Sequence, residues 1–372
     1  MRPSFPVLPA AFGTFGLAWG AWQAVLPDLA NHHGLSTGPL GAILTLGFAA
    51  SLPAMLGIGR LLDRAGPGWG IGLTAVAMAG GLGLVGMLGS LPALIVAVVI
   101  FAAGSGAFDV AINGAAMGHE TWSRPARLTL LHAAFSAGGL VGALGGGAVL
   151  GTDIPFEITY FVLAASLSLV AVLAARSRWE AIPSAGSVPR AVALAMLPLA
   201  ALAGLAFLAE GSMETWSAIY LRDELGAAAF IGALGPAAFH AAMLVGRLVG
   251  AAVAGSLGAP ATLFVAGAMT LVGMSVALLV PLPAVAIPGM ALGALGASFV
   301  VPVVVSLAAQ RAGAHAGRAA SYVLTLGYAG FLVGPSFVGI LGEVAGLRVA
   351  LAIVPLAAAI ILVASRTRVA RS

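Results

Sequence analysis

Residues 92–116 read PALIVAVVIFAAGSGAFDVAINGAA, with Asp109 as the single charge in the stretch. A helix needs about 20 apolar residues to cross the hydrocarbon core of a bilayer. This run is long enough, and it offers water no polar face. Eleven comparable runs flank it, so the expected spans are 8–29, 38–60, 69–90, 92–116, 128–150, 154–175, 193–221, 228–250, 258–281, 284–308, 319–342 and 346–364. Pro92 and Pro283 stand near the starts of the fourth and tenth runs, where a missing N–H costs a helix least.

The whole chain agrees with that stretch. Of 372 residues 61% are hydrophobic and 8% charged, and the mean hydropathy is +1.10. A soluble domain carries about 25% charged residues, so the medium around this chain is lipid. The length allows twelve helices with short loops and no separate soluble domain. Cysteine is absent, which removes disulfides, thiolate metal sites and cysteine nucleophiles. The amino terminus, apolar from Val7 on, reads as a retained first span rather than a cleaved signal.

All 16 basic residues are arginines, and their placement gives the orientation. With both termini cytoplasmic, only Arg222 and Arg348 fall outside and the other 14 fall inside. That split accounts for the net charge of +4 through anionic lipid and cytosol, with no nucleic-acid partner. The expected location is a bacterial inner membrane. The longest polar stretch, 176–190 (RSRWEAIPSAGSVPR), reads as a cytoplasmic linker between a first bundle, 1–175, and a second, 191–372. Gly59-Arg60-Leu61 recurs as Gly246-Arg247-Leu248, and Trp22 has a counterpart in Trp216, as parallel repeats would give.

Between the second and third runs stands Gly59-Arg-Leu-Leu-Asp63-Arg64-Ala-Gly66. It resembles the G-x-x-x-D-[RK]-x-G signature of the major facilitator superfamily, although Pro67-Gly68 replaces the usual basic pair. Further stretches look like the MosC-like branch of that family: Gly104 to Asn113, Phe207 to Ser212, and Gly327 through Glu343. The resemblance implies an all-α membrane protein with the major facilitator fold, twelve helices in two six-helix pseudo-repeats, and secondary transport. It also implies a gating role for Gly59, Asp63, Arg64 and Gly66, with Asp63 approaching the positive end of the eleventh helix.

Ionisable groups inside the runs are the informative ones, because each costs about 2.5–3.5 kcal/mol at a helix centre. Asp109 and Asn113 are one turn apart on span four, and Asp109 lies about 12 Å from the inner end at 1.5 Å per residue. His132 lies about 6 Å into span five, near enough in depth for the three to meet. Glu210 and Glu214 stand one turn apart on span seven, and His240 is mid-span eight. Asp109, Glu210, His132 and Glu214 are therefore the proton-coupling candidates. Trp19, Trp22 and Gln23 on one face of span one, with Asn113, His240 and Tyr328, are the substrate-binding candidates; Tyr322 is a weaker one. For Asp109 and His132 the competing account is a fixed polar cluster that only holds spans four and five together, and for Glu214 it is simple contact with the outer water.

Gly81-Leu-Gly83-Leu-Val-Gly86 matches a dinucleotide fingerprint but has no preceding strand, so its glycines are assigned to close helix packing. The same holds for the G-x-x-x-G pairs at 138/142, 246/250 and 330/334. Zinc and serine-hydrolase signatures and a phosphate-cradling Gly-Lys-Ser/Thr are absent, so neither an enzyme nor ATP-driven transport is expected, and no cofactor or metal is implied. The expected partners are a small-molecule substrate, protons and the bilayer, and the expected state is a monomer. The leading reading is a proton-coupled carrier of a small polar solute working by alternating access. The alternatives are a proton-antiport exporter of drugs or metabolites, disfavoured by the lack of Gly-Pro in span five, and a non-transporting receptor or scaffold.

Overall fold

The computed structural model describes residues 2–3, 6–87, 89–118, 125–179 and 189–370. Among these, ten segments are long and apolar enough to cross a membrane. The first six helices are α1 (Val7–His32), α2 (Thr37–Ala65), α3 (Pro67–Val85), α4 (Leu91–Gly118), α5 (Pro125–Leu150) and α6 (Glu157–Ala175). Then come α7 (Arg190–Ile219), which ends in a π-helical turn (Tyr220–Glu224), and α8 (Ala229–Leu279). The remainder are α9 (Pro283–Ala297) with α10 (Val300–Ala312), α11 (Ala316–Gly327) with α12 (Ala329–Ala345), and α13 (Leu347–Ala350) with α14 (Ile353–Ala364).

One of the ten spans, α8, is two rods joined at Gly258, where φ is 76°. With that extra rod and α1, which is not among the ten, the described residues form twelve rods. α1 falls short because Trp19, Trp22, Gln23 and Pro27 dilute its apolar run. The interruptions inside two spans have a common cause. The α9/α10 junction follows Ser298, four residues before Pro302, and the α13/α14 junction follows Leu351, four residues before Pro355. A proline ring clashes with the carbonyl four residues back and removes that carbonyl's donor.

The turns between the second and third rods of each half are alike. Gly66 has φ 80°, ψ 165° ahead of Pro67, and Gly258 has φ 76°, ψ 166° ahead of Ala259-Pro260. Only glycine adopts such angles without strain. These turns correct the repeat register. Arg60 lies six residues before Gly66, but Arg247 lies eleven before Gly258, so the two Gly-Arg-Leu stretches are not structural counterparts.

The chain divides into two compact units, Met1–Ser184 and Ala185–Ser372. In the first, α1 lies along α5, α3 along α4 and α6, and α2 along α4. In the second, α7 lies along α12 and α11, α8 along α9, and α14 against α8 and α7. Small residues make these approaches possible. A Cβ on Gly16 or Gly20 of α1 would collide with the carbonyls of Phe135 and Gly139, and one on Gly138 or Gly142 of α5 with those of Gly13 and Leu17. In the second unit Gly330 of α12 meets the Gly204 carbonyl, and Gly334 sits with the Leu208 carbonyl 2.7 Å from where a Cβ would stand. Gly81 meets the backbone of Phe101, whereas Gly83 faces open space.

The outer surface is apolar. Leu56 is 77% exposed and Val344 85%, among many large aliphatic side chains that only lipid would cover. At one end, Arg2–Pro3 pair in parallel with Ser177–Arg178, a two-residue ladder within the first unit. Most of the 176–190 stretch, together with Arg124 and Arg371, lies outside the described residues, as do the side chains of Arg60 and Asp63.

Candidate functional site

In the first unit, α4 presents Asp109 and Asn113 one turn apart, and the pair is closed by a hydrogen bond. The Asn113 amide donates to Asp109 Oδ1 at 2.9 Å and to the Asp109 carbonyl at 2.9 Å. Both side chains are half-buried, nine and five residues from the helix end at Gly118. His132 of α5 is half-buried edge-on against Phe12 of α1, with ring centroids 5.3 Å apart. Phe15 of α1 contacts both Phe108 of α4 and Phe135 of α5, so α1 supplies an aromatic seam to both helices.

One turn further along α1, Trp19 Nε1 donates to Ser105 Oγ of α4 at 3.2 Å and its ring lies against Phe101. Trp19 is half-buried; Trp22 and Gln23 are fully buried. Trp22 packs between Phe101 and Tyr160 of α6, at 4.8 and 5.9 Å. Of the three α1 candidates, Trp19 therefore keeps an accessible edge, while Trp22 belongs to the packed interior. Trp216, its proposed counterpart, is likewise buried and donates to the Pro335 carbonyl at 3.0 Å.

The second unit gathers the denser cluster. Glu210 is buried on α7, only 6% exposed, and Glu214 sits one turn on with 14% of its side chain exposed. His240 of α8, buried beside Phe239, brings Nε2 to 3.6 Å from Glu214 Oε1. Arg247 stands half-buried on the same face of α8 as His240, two turns along. Ten residues, about 15 Å of rise, separate Arg247 from the end of its rod at Leu257. The expected span 228–250 puts Arg247 within a turn of its end, whereas the observed rod runs on to Leu257.

One turn before Glu210, Phe207 stacks on Tyr328 with centroids 5.0 Å apart and 28° between planes, and on Phe331 at 5.0 Å. Tyr328 occupies the junction of α11 and α12, and both it and Phe331 remain half-exposed. Tyr322 packs against the apolar core of this unit. In the loop carrying the gating candidates, Gly59 and Arg64 lie in the last turns of α2 and Gly66 makes the turn into α3. Sequence reasoning missed Arg247, Ser105 and Phe207; the signal for Arg247 was the further apolar stretch that follows it before Gly258.

Among the described residues no group of three or more metal-ligating side chains forms. The acids and the histidine can hold and move protons, and the arginine can pair with an anionic or hydroxylated group. The family model described as Major Facilitator Superfamily matches residues 8–335. An uncharacterized MFS-type transporter of Yersinia pestis is 30% identical over 93% of this chain and 91% of its own length. Membrane protein MosC of Rhizobium meliloti is 28% identical over 90% and 83%. Among solved structures, a D-xylose-proton symporter superposes with a TM-score of 0.76 at 13% identity, covering 97% of this chain and 96% of the other. With its family model spanning most of the helical rods and its relatives spanning nearly all of them, this multi-pass membrane chain belongs to the major facilitator superfamily of transporters.

Proposed function

We propose that this protein is a proton-coupled carrier of a small polar solute in the bacterial inner membrane, working by alternating access with both termini cytoplasmic. The observation that carries the reading is Glu210. A carboxylate buried among apolar helices is retained at substantial cost unless it does something, and moving a proton is what a carboxylate one turn from a second, histidine-paired acid is suited to. Asp109, held by Asn113 in the first unit, is the second proton site in this reading, with His132 assisting. In the second unit the stacked Phe207–Tyr328 face suits the flat side of a ring, and in the first unit half-buried Trp19 and Asn113 are the groups able to hydrogen-bond a polar solute. Trp22 supports that surface from behind. The fold likeness to a D-xylose-proton symporter is compatible with such a solute.

The experiment is flux into vesicles, using the best stabiliser from a thermal-shift screen of sugars, cyclitols, amines and drugs. An imposed pH difference should drive accumulation in the wild type. Glu210→Gln should lose accumulation by tenfold or more and keep substrate exchange. Accumulation at wild-type level in Glu210→Gln under the same pH difference overturns the assignment.

A further inference from the structure

We propose that the second unit holds one anionic phospholipid at the end where α14 finishes, its phosphate on Arg366 and Arg368 and its acyl chain against Phe264 and α14. That end is cytoplasmic in the orientation proposed above, and the site is independent of the reading of Glu210. Two helices build it. On the second rod of α8, a Cβ on Gly267 would stand 2.9 Å from the Leu362 Cβ of α14, so the two rods touch there. One turn further toward the same end, Phe264 meets Arg366, with the guanidinium carbon 5.1 Å from the ring centroid. Both residues are exposed. Beside them Leu356, Ile360 and Val363, spaced i, i+4 and i+7, form an exposed apolar stripe along α14. The stripe ends at the arginine, so the surface passes from aliphatic to cationic within one turn.

The turn that carries the two arginines is tied down. Arg311 of α10 donates to the Arg368 carbonyl at 3.2 Å and to the Val369 carbonyl at 2.8 Å. The Thr367 hydroxyl donates to the Ala364 carbonyl at 2.8 Å and accepts the Val369 N–H at 3.2 Å. Val369 packs against the apolar core of this unit, and Ala370 is fully buried. A ligand is therefore spared the cost of ordering the turn. Among the described residues, no hydrogen bond or ion pair engages the guanidinium of Arg366 or of Arg368. A guanidinium seated over a ring keeps its N–H edge, and that edge matches two oxygens of a phosphate.

Charge decides the headgroup. Arg190 of α7, Arg311 of α10 and Arg318 of α11 stand at the same end of the unit. Its acids lie elsewhere: Glu210 and Glu214 are within α7, while Asp223, Glu224 and Glu343 are near the opposite end, where Glu224 Oε1 accepts the Leu347 N–H at 2.7 Å. A soluble phosphate would engage the arginines and leave the aliphatic stripe idle. A zwitterionic lipid would cover the stripe but bring its own cation to the phosphate. A lipid with a net negative headgroup uses both parts of the site.

The test is native mass spectrometry of the purified full chain in detergent. The probes are dioleoyl phosphatidylglycerol, the matching phosphatidylcholine, and glycerol phosphate as a headgroup without chains. Phosphatidylglycerol should stay bound where the other two do not. Arg366→Gln should weaken one bound phosphatidylglycerol about fivefold, and Arg368→Gln about as much, as the loss of one arginine near a membrane surface predicts. Arg366→Lys should keep part of the affinity, having the charge without the two-pronged edge. Phe264→Leu, which keeps apolar bulk and removes the ring, should also weaken it. Arg190→Gln takes an exposed charge from the same end but outside the groove, and should change the affinity less than about twofold. If Arg366→Gln is not recovered folded, Arg368→Gln and Phe264→Leu against Arg190→Gln decide the matter. The proposal is overturned if phosphatidylcholine or glycerol phosphate binds as tightly as phosphatidylglycerol, or if no phosphatidylglycerol is retained. It is equally overturned if Arg190→Gln weakens retention as much as the groove variants do, which would mean diffuse surface charge rather than a site.

Discussion

Asp109 and Glu210 illustrate how differently two intramembrane acids can be held. The Asp109 carboxylate accepts the Asn113 amide from its own helix, so its immediate partner travels with α4. Glu210 is buried on α7 one turn from Glu214, whose Oε1 stands 3.6 Å from His240 of α8, so its surroundings depend on how α7 and α8 pack. Asparagine at 109 can keep a hydrogen bond to Asn113 but cannot carry a proton. Asp109→Asn should therefore leave the thermal midpoint within a degree or two of wild type and abolish accumulation driven by a pH difference, with exchange still measurable. A large fall in midpoint with coupling intact in the surviving protein would make Asp109 structural instead. The same-helix pairs, Asp109 with Asn113 and Glu210 with Glu214, were legible in the sequence because i, i+4 spacing fixes a shared face whatever the helix packs against. The Glu214–His240 approach was not, since it depends on rotation of α7 against α8. Arg247 was misread because a three-residue likeness suggested a helix end, while the glycine that sets the turn lies eleven residues on.

Helix pairs in this protein are joined less by interlocking side chains than by backbone against backbone. Without a hydrophobic driving force in lipid, close packing and small residues carry helix association. Gly16 and Gly20 of α1 let it run against Phe135 and Gly139 of α5, whereas Gly83 of α3 faces nothing within 4 Å. Gly20→Leu should therefore separate α1 from α5, at a cost of about 1–3 kcal/mol or more by overpacking. The chemically similar Gly83→Leu should be near neutral; thermal midpoints in one detergent check both. Equal effects would mean that glycine serves helix flexibility rather than contact. Span existence, α1 apart, was readable from hydropathy alone, and the small-residue character of the interfaces was readable from the glycine spacing. The pairing of α1 with α5 and of α7 with α12 was not, because G-x-x-x-G marks a face without naming its partner. The breaks after Ser298 and Leu351 follow from Pro302 and Pro355, a signal present in the sequence but submerged by prolines such as Pro53 and Pro236 that α2 and α8 absorb.

At the scale of the whole molecule, each unit contains its own helix–helix contacts, and the division falls between Ser184 and Ala185. Both units repeat one plan, a first rod laid along the fifth and a glycine turn between the second and third. A unit that completes its own packing does not need a covalent joint to the other in order to fold. Fragments 1–184 and 185–372, produced as separate chains in one cell, should therefore both reach the membrane and co-purify, with pH-driven uptake at a measurable fraction of that of the intact chain. Recovery of neither fragment would show that the units fold only together. Orientation extends the same reasoning to the bilayer, since charge on a short loop decides which side it stays on. With 14 of 16 arginines assigned to one side, moving Arg247 into the interior of α8 leaves thirteen against two, still a decisive bias. A phosphatase active only in the periplasm should then be silent when fused after Ser372 and active when inserted in the loop around Gly34, between α1 and α2. The opposite pattern would invert the protein in the membrane and place Glu214, the more exposed acid, on the cytoplasmic side of Glu210. Protons would then reach Glu210 from the cell interior first, and a carrier loading from that side would work against the inward proton gradient. The fusion result thus fixes which compartment supplies the proton in the reading of Glu210 as the proton site.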